Sequence, residues 1–216
     1  IVKFAVGLYL ALLLNEKLPF KALIRSVVLI PFVVPTVLSA IAFWWIYDSQ
    51  FSIISWSLRH MGLITENINF LGDPNNARMS LIFANIWRGV PFIAITLLAG
   101  LQTVSPSLYE AATLDGATRW QVFRHVAYPI AKPGIAVAFI LAIIFSWNNF
   151  VFGIVLASRG TRTLPVAVYN MISFDQLSWG PLAAAALIVT LPVLLLTILA
   201  QKQIVAGLTA GGVKGA

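Results

Sequence analysis

The sequence predicts an all-α polytopic membrane protein, and three observations carry that prediction. Of its residues 60% are hydrophobic and 10% charged, whereas a soluble domain carries about a quarter charged residues. The mean hydropathy is +0.92. Residues 27–47, 135–157 and 181–200 are uncharged runs of 20 residues or more, and a helix crosses the hydrocarbon core in roughly 20 residues.

Residues 79–101 form a fourth apolar run interrupted only by Arg88, and residues 4–14 a fifth that is too short to cross alone. The expected spans are therefore about 1–14, 27–47, 79–101, 135–157 and 180–201. Between them lie segments 15–26, 48–78, 102–134 and 158–179, with a tail over 202–216. The start at Ile1, without Met or a charged leader region, argues against a signal peptide and leads us to expect a further helix upstream.

Alternation along these spans sorts the basic residues onto two sides. One side holds the eight residues Lys17, Lys21, Arg25, Arg119, Arg124, Lys132, Lys202 and Lys214; the other holds the four residues Arg59, Arg78, Arg159 and Arg162. The positive-inside rule puts the first set in the cytoplasm. The net charge of +7 is thus first an orientation signal rather than a sign of nucleic acid. The absence of Cys removes disulfides and thiolate metal sites from consideration. Pro31, Pro35, Pro91 and Pro192 fall inside apolar runs, where neighbours must satisfy the carbonyls they free. Either kinks around a polar path or the ordinary frequency of Pro in membrane helices accounts for them.

Segment 102–134 is dense in helix punctuation. Ser105 can cap a helix with Pro106 at its first position, and Ser107 to Glu110 has capping-box spacing. Asp115-Gly116 supplies a corner at which Gly can take positive φ. Thr118 to Gln121 has capping-box spacing for a second short helix, which Pro129 is expected to end. The product is a helix, a sharp corner and a helix. A loop that only joined two spans could be far shorter, so this one is expected to dock against a partner.

Glu110-Ala111-Ala112, Gly116 four positions later, and the punctuation at Pro129 and Pro133 resemble the EAA loop of ABC importer permeases. The fuller string from Glu110 through Asp115, Gly116 and Ala117 resembles the carbohydrate-uptake, maltose-type branch. Thr163, Pro165, Trp179-Gly180, the alanines 183–186, Leu191-Pro192, Gln201 and the tail 207–215 are similar to the C-terminal half of the same family. The resemblance implies a type I ABC importer permease fold of about six spans, of which five are recognisable here, in a prokaryotic plasma (inner) membrane. It implies ATPase-coupling roles for Glu110, Ala111, Ala112, Asp115, Gly116 and Ala117. The partners it implies are two cytoplasmic ATP-binding subunits, a second permease subunit, homologous or identical, and an extracytoplasmic solute-binding protein. ATP and Mg would sit on the ATPase, with no cofactor in this chain. Tyr169, Asn170, Phe174, Asp175 and Gln176 are similar to an outer loop that reaches toward the binding protein, though a plain solvated hairpin would also account for them.

Asn148 and Asn149, in Trp147-Asn-Asn-Phe150, lie in an otherwise apolar span, where unpaired amides are costly. Amides can meet sugar hydroxyls as donor and acceptor, and Trp147 can stack on a sugar's C–H face. Interhelical hydrogen bonding would use the same groups. Arg88 sits halfway along its span and is expected to face the pathway, the outer surface or a structural partner. Asp48 reads as an interfacial residue rather than a proton carrier. Gly207–Gly212 has P-loop-like glycine spacing, but Val213 stands where lysine belongs, and neither a zinc motif nor a nucleophile elbow occurs, so an enzyme is not expected.

The reading is a permease subunit of an ATP-driven, binding-protein-dependent importer of a sugar or related polar solute. A secondary transporter or channel is the alternative, but no span holds a mid-membrane acid, and the capped loop would have no purpose. A membrane-tethered helix-turn-helix DNA binder would need more than the three basic residues of segment 102–134 for phosphate-dominated affinity.

Overall fold

The computed structural model describes residues 1–16, 19–158, 160–172 and 179–212, with residues 202–212 as backbone only. Every regular element among the described residues is helical. The apolar α1 (Val2–Asn15) is 14 residues long, too short to cross a bilayer as a straight helix.

The expected span 27–47 is not one helix. It is α2 (Lys21–Val33) and α3 (Thr36–Ile46), bent by 85° at the break. Pro35 is the cause: it has no N–H for the Pro31 carbonyl, and its ring turns the preceding residue away from helical geometry. Pro31 itself lies within α2.

After the break comes α4 (Ile53–His60), capped by Ser52, whose Oγ accepts from the Ser55 N–H at 3.2 Å. The long α5 (Pro74–Leu101) begins five residues before the expected 79. Its entry is set by Asp73, whose Oδ1 accepts from the N–H groups of Asn75 and Asn76 at 2.9 Å each, with Pro74 in the first helical position. Pro91 lies inside α5 without ending it.

The loop elements are α6 (Pro106–Leu114) and α7 (Arg119–Val122), and α7 passes through a π-helical turn (Phe123–Ala127) directly into α8 (Tyr128–Trp147). The expected stop at Pro129 is therefore corrected. A proline ring collides with the carbonyl four residues back in a regular α-helix, and the wider π-turn immediately upstream, closed by Tyr128 N–H on the Phe123 carbonyl, makes the room. The chain continues through α9 (Val151–Leu156), α10 (Leu164–Tyr169) and α11 (Trp179–Gly212).

Among the described residues three stretches, 74–101, 119–156 (running from α7 through α9) and 179–201, are long and apolar enough to cross a membrane, and the bent pair α2 and α3 makes a fourth if counted as one span. The fifth expected span is the short α1.

The chain divides into two compact units. The first comprises residues 1–29, 89–144 and 193–216. Its core joins Ala11 and Leu14 of α1, Ile93, Leu97, Leu98 and Leu101 of α5, and Ala131, Ile135, Ala138 and Ala142 of α8. The spacing of the α8 set places it on one helical face. Small residues there let backbones approach: a Cβ on Gly134 would stand 3.3 Å from the Gly100 Cα.

The second unit comprises residues 30–88 and 145–192. Its core joins Ala40, Phe43 and Tyr47 to Ala84 of α5 and to Phe152 and Leu156 of α9. The Phe43 ring meets Trp87 edge-on at 5.1 Å and Phe152 at 6.0 Å, and the Tyr47 hydroxyl donates to the Ser80 carbonyl at 3.2 Å.

Candidate functional site

The loop corner is built from backbone bonds. Gly116 has φ +76°, a conformation that costs a residue bearing Cβ but not glycine. The Gly116 N–H donates to the Thr113 carbonyl and the Ala117 N–H to the Ala112 carbonyl, each at 3.0 Å. This pair of bonds is the Schellman motif, and it closes α6 with its last carbonyls satisfied.

The second helix opens at once. Thr118 Oγ1 accepts from the Gln121 N–H at 3.4 Å, and Gln121 Oε1 accepts from the Thr118 N–H at 2.8 Å, which is the reciprocal box expected of this spacing. The other expected box, Ser107 to Glu110, does not form. Pro106 is already the first residue of α6, so Ser107 lies within the first turn, and the Oγ atoms of Ser105 and Ser107 pair at 2.8 Å instead. Beyond α7, His125 Nδ1 donates to the Gln121 carbonyl at 3.1 Å.

Glu110, Ala111, Asp115 and Gly116 are exposed, while Ala112 and Ala117 are half-buried. Ala112, Asp115, Gly116 and Ala117 line one side of a cleft of about 300 Å³, and Gln121, Val122, His125 and Val126 the other. Two apolar side chains flank this corner in the open: Leu114 is 88% exposed and Trp120 65%. Neither was singled out from sequence, because pattern reading assigns apolar residues to buried faces. Arg119 pairs with Glu16 at 3.3 Å, both largely in solvent, where such pairs contribute little. Earlier on α6, where Tyr109 packs against the core of the first unit, burial pushes its phenol above the ordinary range, a shift opposed by the Asn15 side chain.

The second cluster lies where α8 stops. Asn148 and Asn149 are not within a helix, as their place in an apolar run led us to expect; they form the break between α8 and α9. At the break the main-chain carbonyl of Asn148 accepts from the Phe150 N–H at 2.9 Å, a tight turn in place of a helical bond. Asn148 is exposed and Asn149 half-buried. The Asn149 carbonyl accepts from Thr163 Oγ1 at 3.2 Å. Trp147 spends its indole N–H on the Val189 carbonyl at 3.0 Å, which orients the ring. From α5, Asn85 Oδ1 accepts from Ser146 Oγ at 3.4 Å. Asn85 and Ser146 thus extend the polar group. The available signal was an amide in an apolar span, which sequence reading weighed only at the Asn pair.

Arg88 is half-buried and turned toward α2: its Nη1 donates to the carbonyls of Pro31 at 3.1 Å and Val34 at 2.7 Å. Asp48 serves a turn, with Oδ1 accepting from the N–H groups of Gln50 at 2.8 Å and Phe51 at 2.9 Å. On the outer segment, Tyr169 ends α10 and meets the Phe150 ring edge-on at 5.5 Å, and Asn170 beside it is exposed. Phe174, Asp175 and Gln176 lie outside the described residues.

The sequence profile of the family described as "Binding-protein-dependent transport system inner membrane component" matches residues 3–208. The chain is 34% identical over 175 residues to the trehalose/maltose transport system permease protein MalF of Thermococcus litoralis, covering 81% of this chain and 58% of that protein. It is 36% identical over 200 residues to the maltose/maltodextrin transport system permease protein MalG of Escherichia coli, covering 92% and 62%. It spans about three-fifths of the length of these curated relatives. Among solved structures, a bacterial ABC transporter involved in the import of the acidic polysaccharide alginate superposes with a TM-score of 0.80 at 23% identity, over 98% of this chain and 73% of that one. The alginate transporter in complex with its alginate pentasaccharide-bound periplasmic protein superposes with a TM-score of 0.71 at 25% identity, over 94% and 70%.

Proposed function

Because the chain belongs to the family of binding-protein-dependent transport system inner membrane components and has the type I ABC importer permease fold, we propose that it is the permease subunit of an ATP-driven sugar importer. The observation that carries this reading is the corner at Gly116, closed on one side by a Schellman motif and on the other by a capping box. A rigid corner with Leu114 and Trp120 in the open suits a lever that docks into a cytoplasmic protein.

Two copies of an ATP-binding subunit are the partners of that lever, with ATP and Mg bound there and not in this chain. Glu110, Ala111 and Asp115 present the contact surface; Ala112, Gly116 and Ala117 hold the corner. Nucleotide only biases states the permease already has, so closure of the ATPases moves the lever and shifts the spans between inward and outward access. A second permease subunit completes the pathway, and α11 exposes Leu187, Ile188, Leu191, Leu194 and Leu195 to lipid or to that subunit. An extracytoplasmic solute-binding protein delivers the sugar near Tyr169 and Asn170. Asn148 and Asn149, with Ser146 and Asn85 beside them, offer the donors and acceptors that hydroxyls need. The curated relatives carry maltose and trehalose in their names, and a disaccharide of that class is the solute expected here. Segments 15–26 and 102–134 face the cytoplasm.

Vesicles holding the permease with its ATP-binding subunits test this reading. Labelled disaccharide should accumulate only when ATP and the solute-binding protein are both supplied. Equal accumulation with the ATP-binding subunits left out would replace it with a secondary transporter or channel.

A further inference from the structure

Pro35 breaks α2 from α3 and leaves carbonyls without helical donors. The last regular bond of α2 is Val34 N–H to the Ile30 carbonyl at 3.1 Å, and the first of α3 is Ser39 N–H to the Pro35 carbonyl at 3.0 Å. The next acceptor in register, the Pro31 carbonyl, would take its bond from residue 35, which has no N–H. In an apolar surrounding an unmet carbonyl is costly.

Arg88 meets it. One guanidinium nitrogen donates to the Pro31 carbonyl at 3.1 Å and to the Val34 carbonyl at 2.7 Å, one acceptor in the last turn of α2 and one at the break. The same group stands over the Phe32 ring, 6.0 Å from its centroid, and its charge is matched to the negative end of α2. A charged donor makes a stronger bond than the amide it replaces. We propose that Arg88 is the positioning residue of the α2–α3 joint: it takes the place of the donor that Pro35 lacks and holds the 85° bend as a defined angle.

The joint bears on the polar break through packing. Phe43 of α3 lies against Trp87, next to Arg88, and against Phe152 of α9, the helix that restarts after Asn148 and Asn149. A change in the bend would move α3 and with it the seat of α9. This last link rests on the solute reading of the Asn pair; the joint does not.

The absence of Cys allows spin labels at two introduced cysteines, replacing Ile30 and Trp45, which are 53% and 58% exposed on either side of the joint. Distances between them are measured by pulsed electron resonance on the whole permease in lipid nanodiscs. The parent protein should give one narrow distribution. Arg88→Gln should broaden it toward longer distances, and Pro35→Ala, which restores a donor to the Pro31 carbonyl, should move the mean outward by about 5 Å at 1.5 Å of rise per residue. An unchanged distribution in Arg88→Gln overturns the proposal, even if uptake is lost, since that pattern belongs to a solute ligand. If Arg88→Gln does not accumulate, the double variant Pro35→Ala with Arg88→Gln decides: recovered accumulation supports the joint, since the restored backbone N–H makes the guanidinium dispensable, and no recovery overturns it.

Discussion

The Ala117 N–H reaches back across Gly116 to the Ala112 carbonyl at 3.0 Å, so the two half-buried alanines of the corner are tied by backbone rather than by side-chain packing. Apart from Gly116 itself and its two chain neighbours, no atom lies within 4 Å of a Cβ built on Gly116. The requirement for glycine there is therefore conformational, not steric.

It follows that Gly116→Val should insert into the membrane at normal abundance and lose ATP-driven uptake. Positive φ costs an L-residue about 1–2 kcal/mol, and a β-branched one adopts it least readily. Gly116→Asn should keep most uptake, because Asn tolerates that region. Membrane abundance, ATPase retention and uptake are the measurements; wild-type uptake by Gly116→Val with the ATPase retained would remove the coupling assignment.

Thr118→Ala deletes one half of the box at the start of α7. Loss of such a cap costs about 1 kcal/mol, so the amide of Gln121 should exchange with deuterium roughly five times faster. Span amides of α5 should be unaffected. Equal slowing or quickening in both places would mean that the corner is not an independent unit.

At the break, Asn148→Ala and Asn149→Ala should lower disaccharide uptake while ATP hydrolysis still responds to the solute-binding protein, since the corner is untouched. Loss of membrane insertion or of subunit assembly would point to a packing role. Asn149 is the better discriminator, because its carbonyl, which holds Thr163, is unchanged by the substitution.

Gly100 and Gly134 should respond with opposite sign. A Cβ on Gly100 finds the Gly134 Cα at 3.6 Å, ordinary contact, so Gly100→Ala gains helix propensity of about 1 kcal/mol. On Gly134 the distance is 3.3 Å, and Gly134→Leu must separate the two backbones, an overpacking cost of about 1–3 kcal/mol. Thermal unfolding in detergent should rise for the first and fall for the second.

Orientation is checked by single cysteines in this Cys-free chain. Ser158→Cys should react with an impermeant maleimide from outside the cell, and Arg119→Cys should not. Reaction of both from one side would reverse the topology.

The helical class, the long apolar spans and the corner at Gly116 were legible in sequence, because each depends on local chemistry. Hydrophobic length is read directly from composition, and the Thr118 to Gln121 box and the glycine corner involve residues within a few positions of each other. Tertiary structure decided the rest. Whether Pro129 stops a helix depended on a π-turn upstream; what meets the carbonyl that Pro35 leaves free is a donor 53 positions beyond that proline in sequence. The pairing of Asn85 with Ser146 and of Trp147 with Val189 likewise joins residues far apart in the chain. A buried polar group must find a partner, but sequence states only the need. Which carbonyl Arg88 answers is settled by the packing that brings α5 beside α2.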